Sequence, residues 1–382
     1  MSQNTENKMN EKTVLVVFPS IFSHNKINYL LKSISKILKI KDQPVNSIRR
    51  DGSIIVLEVA DPVLASSAIG LLFGIDRIAI AKEVKNNFDN VVSTIIITSK
   101  NLLLKGDKFY IKVDGKTSGY LAKDLEIAAT ASLIGQTVDL QVMPGSESDH
   151  SKLLYTHITE SNAYVCIFVD KGLGGIPYNS QNAEILCCVY DELSAISCLQ
   201  CIRLGFDVKI LVCYSSDPDL LKISKMINRI LPSLVQEKIK LQFCKIPRIS
   251  NLLTRTLAIT SITASVASSQ KIRRIALAIS PLVYPAWFVE ENTTIVSQKN
   301  LVPWIPLSGM DYSIIENAKE IGLEKYLSSL ENLSKSKFSK GSIDKGKIAM
   351  IAKHAIKNLK YVSITVGPKN VHDIIDSLKT NH

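Results

Sequence analysis

The sequence predicts a multidomain chain, α+β at its start and α/β beyond. Three observations predict this. The first 85 residues alternate as βαββαβ, the ferredoxin-like arrangement. The next block mixes helices and strands without a regular repeat. From Glu184 the rhythm becomes repeated βα units, which argues a Rossmann-like parallel sheet with helices on both faces. At 382 residues and 46% hydrophobic, the chain can supply two or three cores.

The elements follow in order. Thr13–Phe18 is an apolar strand closed by Pro19, and Lys26–Ile40 carries Ile27, Leu30, Leu31, Ile34, Ile37 and Leu38 at helical spacing. Val45–Arg50 and Ser53–Val59 flank Asp51-Gly52, a hairpin signal. Pro62–Phe73 reads as a helix with proline near its start, and Arg77–Val84 as the closing strand. Next come helix Asn90–Leu104, strand Phe109–Val113, helix Leu121–Ile134 and a short strand Val138–Val142. After the polar loop Pro144–Lys152, Leu153–Ile158 and Tyr164–Val169 read as paired strands. Strands 184–189, 207–213, 238–244 and 273–279 then alternate with helices 191–204, 217–231 and 251–268, with Gly205 placed to end the first helix. Asp311 is a candidate N-cap for helix 312–321. Ser334–Gly346 has linker composition, and an αβα tail follows at Ile348–Leu359, Tyr361–Val366 and Val371–Leu378.

Composition excludes several classes. No apolar run is long enough to cross a bilayer, so no membrane partner is expected. Met1–Asn10 is polar and lacks an apolar signal core, so residues 1–12 are expected to be a disordered tail on a cytosolic protein. The seven cysteines cluster between Cys166 and Cys244, several in apolar strand-like runs, which reads as buried reduced thiols. Cys198 and Cys201 have redox-like spacing but lie inside a predicted helix, where nothing lowers a thiol pKa. Six dispersed histidines show no metal-ligand spacing, so no metal is expected.

The net charge of +11 suggests an acidic partner such as RNA. Residues 331–382 hold ten lysines and four acidic residues, more than half of that excess. A second set, Lys100, Lys105, Lys108, Lys112, Lys116 and Lys123, lies around Phe109 and Tyr110. Lysines contact phosphates as point charges with little sequence selectivity. In an alternating strand only one of the two aromatics can face outward. The other reading of this set is a solvated basic face. The turn Lys171-Gly172-Leu173-Gly174-Gly175-Ile176-Pro177 also has two readings. Glycines there can expose N–H groups to phosphate, or can let the chain pack tightly against the next sheet.

The succession of these pieces resembles the tRNA 4-thiouridine synthetase family, also called the thiamine-biosynthesis sulfurtransferase. Four stretches carry the resemblance. Leu72-Phe73-Gly74-Ile75 with Ile78–Val84 looks like the end of its first domain. Phe109–Val113 resembles the first strand of its THUMP domain. Lys171–Pro177 is similar to a K/R-G-x-G-G-x-P junction, and Pro306–Asp311 to a P-L-x-G-M-D segment. The resemblance runs from about Thr13 to Leu323. It implies a ferredoxin-like domain at 13–85, a THUMP RNA-binding domain at 86–178 and a PP-loop adenine-nucleotide domain at 179–330. A linker at 331–346 and a basic extension at 347–382 follow. It further implies tRNA as partner, with Lys100, Lys105, Lys108, Lys112, Lys116, Lys171, Gly172, Gly174 and Gly175 as RNA-binding candidates.

Two departures stand against ATP as cofactor. The family's S-G-G-x-D-S loop falls on Val189, Tyr190, Asp191, Glu192, Leu193 and Ser194, of which only Ser194 matches. Its glycines let N–H groups close on pyrophosphate. Tyr190 and Asp191 stand in their place, and Asp191 and Glu192 add negative charge. The later T-G-E-x-x-x-Q segment is replaced by Ser280–Trp287. No cysteine follows Cys244, so the sulfur-carrying cysteine of the rhodanese-like extension in some members has no counterpart. The expectation is a tRNA-binding protein of tRNA thiolation with a degenerate nucleotide domain, no cofactor and no catalytic residue. That domain would dock a separate modifying enzyme subunit or form a homodimer. The alternative is an active ATP-dependent tRNA sulfurtransferase with a diverged site.

Overall fold

The structure is a computed structural model that describes residues 12–309, 312–320, 322–324, 326–339, 344–367 and 370–379. The chain divides into two compact units. The first comprises Met1–Ile27, Ile37–Gly70 and Ile75–Gly174; the second comprises Asn28–Lys36, Leu71–Gly74 and Gly175–His382.

The N-terminal run opens with β1 (Lys12–Pro19), α1 (Ile27–Ile40), β2 (Val45–Asp51), β3 (Ile54–Val59), α2 (Pro62–Ile69) and β4 (Ile75–Lys85). Its strands lie in the order β2-β3-β1-β4, all antiparallel, as the ferredoxin-like reading requires. The unbroken apolar run of β1 explains its central place. Val14 to Val17 are buried on both faces. Asp61 caps α2 by accepting from the N–H groups of Val63 and Leu64, and Pro62 opens it. The helix stops at Ile69, before Gly70 and short of the expected Phe73.

The next elements are α3 (Phe88–Leu102), β5 (Lys108–Gly115), α4 (Ala122–Gln136), β6 (Met143–Pro144), β7 (Lys152–Ile158) and β8 (Asn162–Gly174). The expected strand Val138–Val142 is not one. Val138–Leu140 is a 3₁₀ turn followed by Gln141 at φ 52°, so the backbone reverses where a strand would have to extend. β8 pairs along nearly the whole of β4, from Lys85↔Asn162 to Ile75↔Gly174. One eight-stranded sheet, β2-β3-β1-β4-β8-β7-β5-β6, therefore runs across residue 85. Its core is shared as well. Val16, Ile54, Ala79 and Ala81 pack in one cluster with Tyr155, Tyr164 and Cys166.

Polar groups tie distant strands of this sheet together. Asp51 of β2 accepts from Thr159 (3.0 Å), Asn162 (3.1 Å) and the Tyr164 hydroxyl, while Arg49 reaches Glu83 and Tyr164. Burial raises the Asp51 carboxyl, but these hydrogen bonds outweigh it and the group ends below its ordinary value. β2 and β8 are separated by three strands, so these contacts require a strongly curled sheet.

The second unit holds β9 (Glu184–Val189), α5 (Glu192–Arg203), β10 (Asp207–Tyr214), α6 (Asp217–Ile230), β11 (Lys238–Lys245), α7 (Leu252–Ser269) and β12 (Arg274–Ala276). These keep the expected βα alternation, although β12 is shorter than 273–279. Leu277 leaves the ladder and donates to the Trp304 carbonyl at 2.8 Å. α8 (Ala286–Ser297), β13 (Val302–Trp304), α9 (Tyr312–Glu320) and α10 (Tyr326–Ser334) follow. The capping role read for Asp311 lies outside the described residues. The sheet order is β13-β12-β9-β10-β11-β14, parallel except for its last strand.

That last strand corrects the reading of the C-terminus as an appended tail. α11 (Lys345–Lys357), β14 (Lys360–Thr365) and α12 (Asn370–Lys379) form the expected αβα order. β14 adds antiparallel to β11, from Lys238↔Thr365 to Phe243↔Lys360. α11 packs on α7 and α12 on α6, burying Ile351, Ala355, Val362, Ile364, Ile374 and Leu378. Among the described residues no helix is long and apolar enough to cross a membrane.

Removing residues 344–382 is expected to uncover the β11 edge and these apolar faces. The truncated chain should lose Tm by roughly 10 °C or more, or fail to stay soluble. Thermal denaturation beside the full chain checks this; an unchanged Tm would show the segment to be dispensable.

Candidate functional site

In a doubly wound sheet, ligands bind beyond the carboxyl ends of the strands where the strand order reverses. Here the chain runs β9 to β10 to β11, then returns to β12 on the other side of β9. The reversal lies between β9 and β12, and the loop after β9 is the segment 189–194 set against the PP-loop.

That loop is closed on itself. Asp191 is the N-cap of α5, accepting from the Ser194 N–H at 2.8 Å. The Ser194 hydroxyl accepts from the Tyr190 N–H (2.8 Å) and the Asp191 N–H (2.9 Å), and donates back to Asp191. Three N–H groups at this helix start are thus consumed by two side chains of the same turn. A phosphate site needs such donors unoccupied and aimed outward. Glu192, in the first turn, pairs with Lys222 at 3.1 Å and complements the helix dipole.

The crevice itself is filled. Tyr190 is buried, with the Arg255 guanidinium 5.6 Å from its ring centre and donating to its carbonyl at 3.3 Å. The space left between Tyr190, Cys188, Thr256, Thr260 and Ala276–Ala278 amounts to about 10 Å³, room for one water at most. Burial pushes the Tyr190 hydroxyl well above its usual range. Burial also raises the Asp191 carboxyl, against the Ser194 bonds and the Arg255 charge, which lower it. The Ser280–Trp287 segment adds to the filling. Ser280 is fully buried and accepts from the Val283 and Tyr284 N–H groups through its carbonyl, and Tyr284 packs on Phe288 and Phe338. The residues present do not fit a nucleotide at this position.

The cysteines are all buried and unbridged. Cys198 and Cys201 face the core from inside α5, as their spacing within a helix suggested. Burial raises the Cys187 thiol, and the bond to Cys187 together with burial raises Cys198, so both are held as thiols.

The lysine candidates divide by environment. Lys108, Tyr110 and Lys112 share the outward face of β5, while Phe109 points into the core. Lys108 pairs with Asp149 and Lys112 with Glu147 (3.0 Å), both acids from the turn after β6. Lys100 at the end of α3, Lys105 in the following turn and Lys116 beyond β5 are exposed, with no ion pair among the described residues. Lys123, also in this run, pairs with Glu126 on α4. Lys171 stands apart. It lies opposite Arg77 on β4, six residues along β8 from the Val165 that meets β7, a separation of about 20 Å.

The glycine junction is fixed chiefly by packing. A Cβ on Gly172 would lie 2.3 Å from the Ile75 carbonyl, and one on Gly175 (φ +72°) would lie 2.6 Å from Arg203 of α5. Gly174 (φ +63°) has open space around it. The Ile176 N–H donates to the Arg203 carbonyl and the Gln181 N–H to that of Gly205, so the turn caps the end of α5. Sequence reading missed Arg255 and the reciprocal Asp191–Ser194 cap. The cap had a signal, an Asp three residues before a Ser at a helix start. Arg255 had none, because α7 reaches Tyr190 only through the fold.

These features define a two-unit α/β protein with a ferredoxin-like edge to its first sheet and a Rossmann-like, largely parallel sheet in its second unit. Its likeness is to the tRNA sulfurtransferases. The chain is 26% identical over 167 residues to a probable tRNA sulfurtransferase of Methanosarcina mazei, a match covering 41% of this chain and 39% of that protein. The chain thus spans well under half the length of that relative. The structure superposes on a 4-thiouridine synthetase crystallised with RNA and bound ATP (TM-score 0.67, 14% identity), covering 92% of this chain and 99% of that one. It also superposes on PH1313 of Pyrococcus horikoshii (TM-score 0.62, 17% identity), covering 81% and 100%. No protein-family profile matches the chain.

Two outcomes follow from the loop. Ser194→Ala removes the acceptor of the Tyr190 and Asp191 N–H groups and should cost about 1–2 kcal/mol in urea denaturation. Asp191→Asn keeps the cap acceptor but cannot ionise. In the wild type the folded carboxyl holds its proton above the unfolded value of 3.8, so stability falls as pH rises through that interval. Urea midpoints from pH 3.5 to 6 should therefore fall relative to Asp191→Asn; a constant difference would contradict the raised carboxyl.

Proposed function

We propose that the chain is a tRNA-binding protein related to the 4-thiouridine synthetases that acts in tRNA thiolation as a binding or scaffold component, without its own ATP-dependent step. The observation that carries this is the closed loop after β9. Its donors are satisfied by Ser194 and Asp191, and Tyr190 occupies the crevice beside it. The likeness to a probable tRNA sulfurtransferase supports the thiolation context, and the RNA bound by the 4-thiouridine synthetase supports tRNA as the partner. Of the segments 13–85, 86–178 and 179–330, RNA contact is assigned to the second, which shares its sheet with the first. The division of labour places adenylation and sulfur delivery on a separate subunit, in a cytoplasmic setting.

On the RNA face, Lys105 and Lys116 are ready phosphate contacts. Lys108 and Lys112 must first leave their acids. Such exposed pairs are worth roughly 0–1 kcal/mol each, so a phosphate can displace Asp149 or Glu147. Gly174 is the junction glycine with space for a ligand.

tRNA should bind at low salt, with no added thermal stability from ATP and no pyrophosphate released when both are present. A rise in Tm with millimolar ATP, or tRNA-dependent pyrophosphate release, would establish a working sulfurtransferase instead. In filter binding over a salt series, Lys105→Ala and Lys116→Ala should each lower the slope of log K against log salt by about one. Glu147→Gln should tighten binding by releasing Lys112. Slopes unchanged in both alanine variants would remove this face from the RNA contact.

A further inference from the structure

A second cavity of this unit lies away from the filled crevice. It measures about 1320 Å³ and lies beyond the carboxyl ends of β10 and β11, roofed by the C-terminal α11, β14 and α12. Parallel sheets bind ligands at that edge because strand ends and loops converge there. The volume exceeds the roughly 300–1,000 Å³ of ordinary ligand pockets, leaving room for a ligand and some water.

The lining specifies the chemistry. Leu221, Phe243, Met350 and Leu378 give it an apolar wall. Met350 is 70% exposed and Leu221 40%, so both present apolar surface to this space. Methionine at an open apolar site adapts to varied shapes. Lys245, His354 and Lys360 line the same space. Lys245 is exposed, sits beside Tyr214 in the strand register, and has no ion pair among the described residues. The start of α6 offers no phosphate cradle. The Ser215 N–H and hydroxyl already bond Asp219 (2.9 and 3.1 Å), and Asp217 puts a carboxylate on the rim. A polyphosphate would meet that carboxylate without backbone donors to compensate. A single negative charge on an apolar body meets Lys245 and the apolar wall together.

We propose that this cavity is a binding site for a small amphipathic monoanion, an aliphatic or aromatic carboxylate, with its acid group at Lys245 and its apolar body against Met350 and Leu221. The site depends on the C-terminal segment, which gives the αβα extension a role beyond nonspecific charge. It is independent of whether the chain binds tRNA or ATP.

The test uses the full-length protein, the anionic fluorophore 1-anilinonaphthalene-8-sulfonate, and dodecanoate against dodecanol as competitors. Dodecanoate should displace the dye at least fivefold more strongly than dodecanol. Lys245→Glu, on the exposed rim, should weaken dodecanoate at least fivefold and leave dodecanol nearly unchanged. Met350→Glu should weaken both the dye and dodecanoate. Circular dichroism and Tm check that each variant is folded. Equal displacement by acid and alcohol, dye binding indifferent to both variants, or no dye binding to the folded wild type would each overturn the proposal.

Discussion

The pairing of β4 with β8 is the constraint on which the first unit rests. β4 closes a ferredoxin-like sheet whose other strands all precede it, and β8 is the last strand of the block that follows. Because the two share one ladder, the strands of the RNA-binding candidate block take their order and facing from it. β7 joins β8, and β5 joins β7, so the outward face of Lys108 and Lys112 is set by pleat alternation carried through two further ladders. The hydrogen bonds of Asp51 with Thr159, Asn162 and Tyr164 hold the curl across the same strands. They also hold the Asp51 carboxyl below its ordinary value against the opposing effect of burial.

In the second unit the recurring physical theme is satisfaction of backbone donors. A helix start must place its N–H groups somewhere. In a nucleotide-binding loop a bound phosphate takes them, and the apo loop leaves them to water. Here Ser194 and Asp191 take them, and Tyr190 lies buried beside the strand reversal. The same pattern recurs at α6, where Asp219 bonds Ser215, and at the end of α5, where the glycine junction supplies the N–H groups of Ile176 and Gln181 to terminal carbonyls. A chain that internalises these groups gains local stability at those turns.

Charge on the RNA-candidate face follows a milder version of that logic. Lys108 and Lys112 are paired, but with exposed acids on a turn, where an ion pair is easily exchanged for a phosphate contact. Among the described residues Lys105 and Lys116 have no such competitor. Lys171, distant along β8, belongs with Arg77 rather than with this set.

The sequence by itself determined most of the elements and their order. Apolar alternation located most strands of both sheets, though not the short β6 and β13, Asp51-Gly52 marked the first hairpin, and the βα rhythm from Glu184 required a parallel sheet, because these are local consequences of side-chain period and turn chemistry. The substitution of Tyr190 and Asp191 for glycines was also legible as a steric and electrostatic change. Only the tertiary structure decided what those residues do. That Tyr190 meets Arg255 and fills the reversal between β9 and β12 depends on contacts from α7 and β12, more than sixty residues on. That β14 joins β11, turning an apparent tail into the last strand of the sheet and the roof of a cavity, depends on a long-range pairing that no local pattern encodes. Residue spacing fixes which face a side chain takes on its own element, whereas the partner waiting at that face is chosen by the packing of distant segments.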